Sequence, residues 1–88
     1  MGARSGYMFE NIIAKIFSEA GYAIQQDVQL EKRSGNIDIV AEKEGKRYCI
    51  EVKYSQLIEK AAEQINTIGK SCGMTPILVT AFKIDEKK

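Results

Sequence analysis

Residues 35–54 constrain the fold more than any other part of the chain, because they read as two β-strands joined by a tight turn. Residues 37–41 and 48–53 are rich in β-branched and aromatic side chains, and Glu44-Gly45 between them is a turn signal. Side chains alternate between the two faces of a strand. The pattern predicts a hairpin with an apolar face and a charged face. We assign Ile37, Ile39, Ala41, Tyr48, Ile50 and Val52 to the apolar face, and Asp38, Cys49, Glu51 and Lys53 to the charged face.

The register of this hairpin follows from its turn. A two-residue turn pairs Lys43 with Lys46, and counting back places Asp38 directly opposite Glu51. A shift by one residue would set apolar side chains against charged ones. Two carboxylates about 5 Å apart destabilise a sheet unless something neutralises them. Lys53 supplies one positive charge on this face, and Mg²⁺, which binds one or two carboxylates plus substrate phosphate, would supply the rest.

The Asp38 and Glu51-Val52-Lys53 pattern resembles the core of the PD-(D/E)XK nuclease superfamily. The surrounding sequence is most similar to its Mrr-like restriction endonuclease and archaeal Holliday-junction-resolvase-like branches. The segments that carry this similarity are Phe9-Glu10, Gly21-Tyr22, residues 35–38, residues 51–53 and Val79-Thr80. The resemblance implies a metal-dependent endonuclease, specifically a magnesium-dependent deoxyribonuclease that hydrolyses DNA phosphodiester bonds.

The resemblance also implies a role for each residue of the motif. Asp38 and Glu51 would bind Mg²⁺ or Mn²⁺, with the Val52 carbonyl as a further ligand, and the ion would lower the pKa of a bound water. Lys53 would orient that water or offset negative charge on the phosphate. Glu10, on the first predicted helix, would bind or position the ion. Without the resemblance, Glu10 reads as an exposed helix carboxylate in a local pair.

Two amphipathic helices flank the predicted strands. Apolar residues within 5–20 follow the i, i+3, i+4 spacing of a helix, which Gly21 ends. A second helix is predicted over 56–71. Gln64 borders its apolar stripe and matches a glutamine that several branches of the superfamily pack near the active site; an ordinary surface residue is an equal interpretation. The stripe consists of Ile58, Ala61, Ala62, Ile65 and Ile68.

Two further strands complete the order α-β-β-β-α-β. We predict the first strand over residues 22–30, with a bend at Gln26 and Asp27. The apolar run 76–82 predicts a buried strand that is added parallel to an existing strand. The predicted fold class is α/β, a restriction-endonuclease-like core in which helices flank a mixed four-stranded sheet. We interpret residues 1–88 as a single nuclease-like domain.

Composition excludes several kinds of catalysis. The chain has no histidine, which rules out Ser-His-Asp and Cys-His mechanisms and histidine-containing zinc sites. Cys49 and Cys72 are interpreted as free thiols of a reducing, cytoplasmic compartment rather than as a disulfide. No apolar run reaches a membrane-spanning length. Acid–base or metal chemistry must therefore use carboxylates, lysines or tyrosines.

The net charge of +1 shows no basic bias towards nucleic acid. Lys32 and Arg33 are candidate contacts to DNA phosphates, and solvated loop residues are an equal alternative. A homodimer or fusion to a DNA-binding domain would offset weak DNA affinity of a monomer. Two other functions stay open: a catalytically inactive nuclease-like module that binds nucleic acid or a partner protein, and a structural domain whose charged face pairs across a dimer.

Overall fold

The computed structural model describes residues 5–30, 35–53 and 59–80, with side chains of the first helix described from Met8 onward. The elements are α1 (Ser5–Glu19), β1 (Ala23–Gln29), β2 (Asn36–Lys43), β3 (Lys46–Lys53), α2 (Glu59–Cys72) and β4 (Thr75–Thr80). The sheet is mixed, with strand order β1-β2-β3-β4. This architecture confirms the predicted α/β, restriction-endonuclease-like fold. Across the described ranges, neither helix is both long and apolar enough to cross a membrane.

The hairpin of β2 and β3 forms in the predicted register. Lys43 lies opposite Lys46, and the same pairing continues to Ile39 opposite Ile50. The two turn residues have φ angles of 54° and 81°, the left-handed conformation that two-residue hairpin turns favour. The paired positions end at Ile39 and Ile50, one step before Asp38 and Glu51, so the direct pairing of these two carboxylates stays a prediction.

Both faces of the sheet are covered by apolar side chains, so the prediction of one apolar and one charged face is wrong in part. On the α1 face, Ala14 packs in one core with Ile39 and Ile50. On the α2 face, Cys49 packs in a second core with Ile65. Cys49 is 0% exposed, because α2 covers the part of the sheet that strand alternation alone assigns to the charged face.

The alternation of faces reverses at the level of Asp27 and Asp38. Ile39 belongs to the α1-side core, whereas Ile37 belongs to the α2-side core together with Val28. The prediction that Ile37 shares a face with Ile39 is therefore wrong. Asp27 has a φ of 54°, while the residues on either side of it keep one register with β2. A left-handed residue at the predicted bend turns the strand over without shifting its pairing.

The C-terminal end of α1 is fixed to the hairpin. Gly21, with a φ of 98°, follows the helix as predicted. Lys43 reaches from β2, donates a hydrogen bond of 2.9 Å to the Ala20 carbonyl, and lies 5.1 Å from the centroid of the Tyr22 ring. A cation that binds the last carbonyls of a helix also complements the helix dipole. This exposed contact joins the end of α1 to β2, next to the core in which Ala14 packs against the sheet.

The strand β4 lies parallel to β3, with Ile77 opposite Ile50, as predicted. It contributes Ile77 to the α1-side core and Leu78 to the α2-side core. Gly69 of α2 is buried against this strand: a Cβ there would lie 2.7 Å from the Met74 carbonyl oxygen. The glycine therefore allows a close approach of helix and strand. Of the predicted stripe of α2, Ala61 and Ile65 are buried and Ile68 packs against the α2-side core, whereas Ala62 is exposed and Ile58 lies outside the described residues.

Candidate active site

Glu10 is the buried charged residue of the described chain, at 8% exposure. The helix α1 places it against the strands, and Gln26 of β1 donates a hydrogen bond of 3.2 Å from Nε2 to its Oε2. Burial raises the pKa of this carboxyl, the Gln26 hydrogen bond opposes the increase, and the charges of Asp38 and Asp27 add to it. The alternative of an exposed helix carboxylate is excluded.

Asp38 lies on β2, one position beyond the last pair of the β2–β3 ladder, Ile39 with Ile50. Its Oδ2 accepts a hydrogen bond of 2.9 Å from the backbone N–H of Val52, so the carboxylate is held by the strand that carries Glu-x-Lys. Burial raises the pKa of Asp38, the Val52 hydrogen bond opposes this, and the charge of Asp27 raises it while that of Lys53 lowers it. The side chain is therefore held in place and is close to other charges.

Asp27 is a member of the acidic cluster that the sequence reasoning missed. Carboxylate oxygens of Glu10, Asp27 and Asp38 all lie within 4.8 Å of one another. The three residues come from α1, β1 and β2, so the fold alone brings them together. A signal was present in the sequence: aspartate is disfavoured inside strands, and this one lies at the predicted bend.

Glu51 lies beside this cluster on β3. Its pKa is raised to about 7, first by burial and then by the charge of Asp38, with a smaller contribution from Glu10; Lys53 acts in the opposite direction. Asp38 is thus close enough for its charge to raise the pKa of Glu51, and the charge of Lys53 lowers the pKa of both carboxyls. This region of the sheet gathers excess negative charge that a bound cation would relieve.

The structure treats the predicted site residues in four different ways. Glu10, Asp38, Glu51 and Lys53 share one electrostatic environment. Gln64 is exposed on α2, and among hydrogen bonds of the described residues none joins it to the acidic cluster. The predicted phosphate contacts, Lys32 and Arg33, lie outside the described residues. The Val52 backbone adjoins Asp38 through its N–H, and its carbonyl remains a predicted ligand.

The donor set fits a hard divalent cation. Carboxylate oxygens are the ligands that Mg²⁺ and Mn²⁺ prefer, and the acidic cluster of the described residues consists of carboxylates alone. Cys49 lies in the α2-side core, and its Sγ is 4.0 Å from the Ile65 carbonyl oxygen. A cation at the cluster would offset like charges that burial makes costly.

A mixed sheet in α-β-β-β-α-β order, with Asp and Glu-x-Lys on adjacent strands, defines the restriction-endonuclease-like class of nuclease folds. The chain belongs to the Mrr catalytic-domain family, described as restriction endonuclease, whose family profile matches residues 2–71. Among solved structures it is similar to AF1548, a protein of unknown function, with a TM-score of 0.71 and 26% identity over 92% of this chain. The chain spans half the length of that protein, at 50%. No curated protein sequence matches it.

Proposed function

We propose that this chain is a single nuclease domain that hydrolyses phosphodiester bonds of DNA and depends on Mg²⁺ or Mn²⁺. The observation that carries the proposal is the convergence of Glu10, Asp38 and Glu51 beside Lys53, at the place where the family's motif lies on neighbouring strands. Structural carboxylates are rarely gathered in this way, because burial and like charge both oppose ionisation.

In this proposal Asp38, Glu51 and the Val52 carbonyl bind the ion, and Glu10 binds or positions it from α1. Asp27 joins them, because its carboxylate lies within 4.8 Å of those of Glu10 and Asp38. When bound, the ion polarises a phosphoryl oxygen and lowers the pKa of a water. The hydrogen bond from Val52 N–H restrains Asp38, so the carboxylate needs little rearrangement to act as a ligand.

Lys53 supplies the positive charge of the site. It lies near both Asp38 and Glu51, since its charge lowers the pKa of each. A lysine ammonium is a compact charge that does not itself coordinate the metal. We propose that it orients the attacking water or offsets negative charge that develops on the phosphate.

Contacts to DNA outside the cluster form the less constrained part of the proposal. Lys32 and Arg33 are proposed to contact phosphates, and Gln64 is proposed to support the site from α2. Cleavage of both strands of a duplex would be performed by a homodimer or through fusion to a DNA-binding domain. We place the protein in the cytoplasm, where its free thiols, Cys49 and Cys72, would remain reduced.

A cleavage assay with matched variants tests this proposal. The wild type is incubated with plasmid, branched and single-stranded DNA in Mg²⁺, in Mn²⁺ and in EDTA. We expect cleavage that requires the metal and falls by at least about 100-fold in Asp38→Asn and Lys53→Ala. Glu63→Gln, on the exposed side of α2, is the control for loss of one negative charge and should cleave normally.

Thermal melts of the same proteins separate the competing functions. Mn²⁺ should stabilise the wild type, because the ion binds the folded protein and not the unfolded chain. It should not stabilise Asp38→Asn, which lacks one of the proposed ligands. DNA binding with metal stabilisation but without cleavage would indicate an inactive nuclease-like module. Full cleavage by either Asp38→Asn or Lys53→Ala would refute the assignment of the site.

A further inference from the structure

The side-chain amide of Gln26 connects β1 to α1 at the acidic cluster. Its Nε2 donates hydrogen bonds to Glu10 Oε2 at 3.2 Å and to Asn11 Oδ1 at 3.0 Å. The backbone of Gln26 pairs with Ile39, which is 0% exposed. The donor nitrogen thus belongs to an exposed residue whose backbone is paired within the sheet, while both of its acceptors lie on the helix.

The two acceptors determine which end of the amide faces Glu10. An amide offers two N–H donors at one end and a carbonyl oxygen at the other. Glu10 Oε2 and Asn11 Oδ1 are both acceptors, so only the NH₂ end satisfies both. The Glu10 carboxylate, which can only accept, therefore fixes the orientation of the Gln26 amide, and Asn11 accepts from the same nitrogen through Oδ1.

A neutral donor suits this position. The carboxylate of Glu10 is buried, and a buried carboxylate needs a hydrogen-bond partner. The amide satisfies one oxygen without neutralising the charge, so the carboxylate keeps its full attraction for a cation. A lysine or arginine at the same place would also hold the carboxylate but would offset its negative charge.

We propose that Gln26 is a positioning residue that orients the Glu10 carboxylate towards Asp38 and thereby sets the affinity of the cluster for a divalent cation. This inference rests on the proposed function, since it assumes that the cluster binds such an ion. Gln26 lies outside the Asp and Glu-x-Lys motif, and neither spacing nor periodicity singles it out. Outer partners of metal ligands commonly change metal affinity by about 10- to 100-fold when removed.

The test compares Gln26→Met with Gln29→Met. Methionine keeps the length of glutamine and removes the donor. Gln29 is an exposed glutamine of the same strand, so its variant controls for loss of an amide on β1. Mn²⁺ affinity is measured by calorimetry on the full chain, and cleavage is measured across a Mg²⁺ titration. We expect Gln26→Met to bind Mn²⁺ about 10-fold more weakly, with cleavage largely restored at saturating Mg²⁺, and Gln29→Met to match the wild type.

A double variant shows whether Gln26 acts through Glu10. In the Glu10→Gln background, Gln26→Met should cause no further loss of Mn²⁺ affinity, because the carboxylate that it orients is absent. Equal additional losses in both backgrounds would assign Gln26 a structural role and overturn the inference. Unchanged Mn²⁺ affinity in Gln26→Met would overturn the inference while leaving the nuclease proposal intact. Absence of Mn²⁺ binding by the wild type would overturn both.

Discussion

Substitution of Glu51 by glutamine should make the metal-free protein more stable at neutral pH. In the folded protein the pKa of Glu51 is raised from 4.5 to about 7 by burial and by the charge of Asp38. The unfolded chain releases this proton at lower pH than the folded chain does. The stability that a protonated Glu51 preserves is therefore fully present below the unfolded pKa of 4.5, and it is lost as the pH rises through the folded pKa of about 7.

The size of this loss follows from the two pKa values, 4.5 and about 7. At about 1.4 kcal/mol for each pH unit, the single carboxylate costs about 3 kcal/mol above neutrality, and about 2.5 kcal/mol of this falls between about pH 5 and pH 8. Burial also raises the pKa of Glu10 and of Asp38. Their contributions have the same sign, so the wild type should lose more than Glu51 alone accounts for.

Urea unfolding in EDTA at about pH 5 and pH 8 measures this prediction. We expect the free energy of unfolding of the wild type to decrease between the two conditions, and that of Glu51→Gln to decrease by about 2.5 kcal/mol less. Glu63→Gln is the control, and its pH dependence should match the wild type. Wild-type stability that increases over this range, or an equal decrease in Glu51→Gln, would refute the reasoning. Added Mn²⁺ should reverse the trend in the wild type, because ionised carboxylates bind the ion.

Two further predictions concern the packing around α2. Gly69→Ala should destabilise the protein by about 1–3 kcal/mol in urea unfolding, because the new Cβ would lie 2.7 Å from the Met74 carbonyl oxygen; a change of less than about 0.5 kcal/mol would contradict that packing. Of the two free thiols, the half-buried Cys72 should react with an aromatic disulfide reagent much faster than Cys49, which is 0% exposed and whose pKa burial raises. Equal reaction rates of the two thiols in the native protein would contradict the burial of Cys49 in the α2-side core. A Cys72→Ser variant identifies which thiol reacts.

Local physical rules predicted the hairpin and the order of elements. The period-2 alternation and the turn chemistry at Glu44-Gly45 fix the pairing of β2 with β3. Continued by one step, the same register predicts Asp38 opposite Glu51, one position beyond the pairs that the structure forms. The pairing of the hairpin was predictable because it depends on residues close together in the chain.

The errors concern contacts between distant parts of the chain. The burial of Cys49 depends on the packing of α2 over β3. The alternation of residues along a strand does not reveal that packing. The faces of the sheet reverse at the level of Asp27, whose φ is 54°, and an aspartate indicates a positive φ less strongly than a glycine does. For the same reason its carboxylate was missed, although a bend at this place was predicted.

The face reversal at Asp27 also determines what would be needed to transplant this site. Upstream of it, β1 faces α1 with Ile24, and downstream it faces α2 with Val28. The carboxylates meet at the level where β1 and β2 change the core that their apolar side chains face. Placing the Asp and Glu-x-Lys residues on a hairpin without this face reversal would therefore reproduce the motif. It would not bring Glu10 and Asp27 next to it. The location of the acidic cluster depends on the packing of both hydrophobic cores, and a scaffold for this site would have to reproduce both of them.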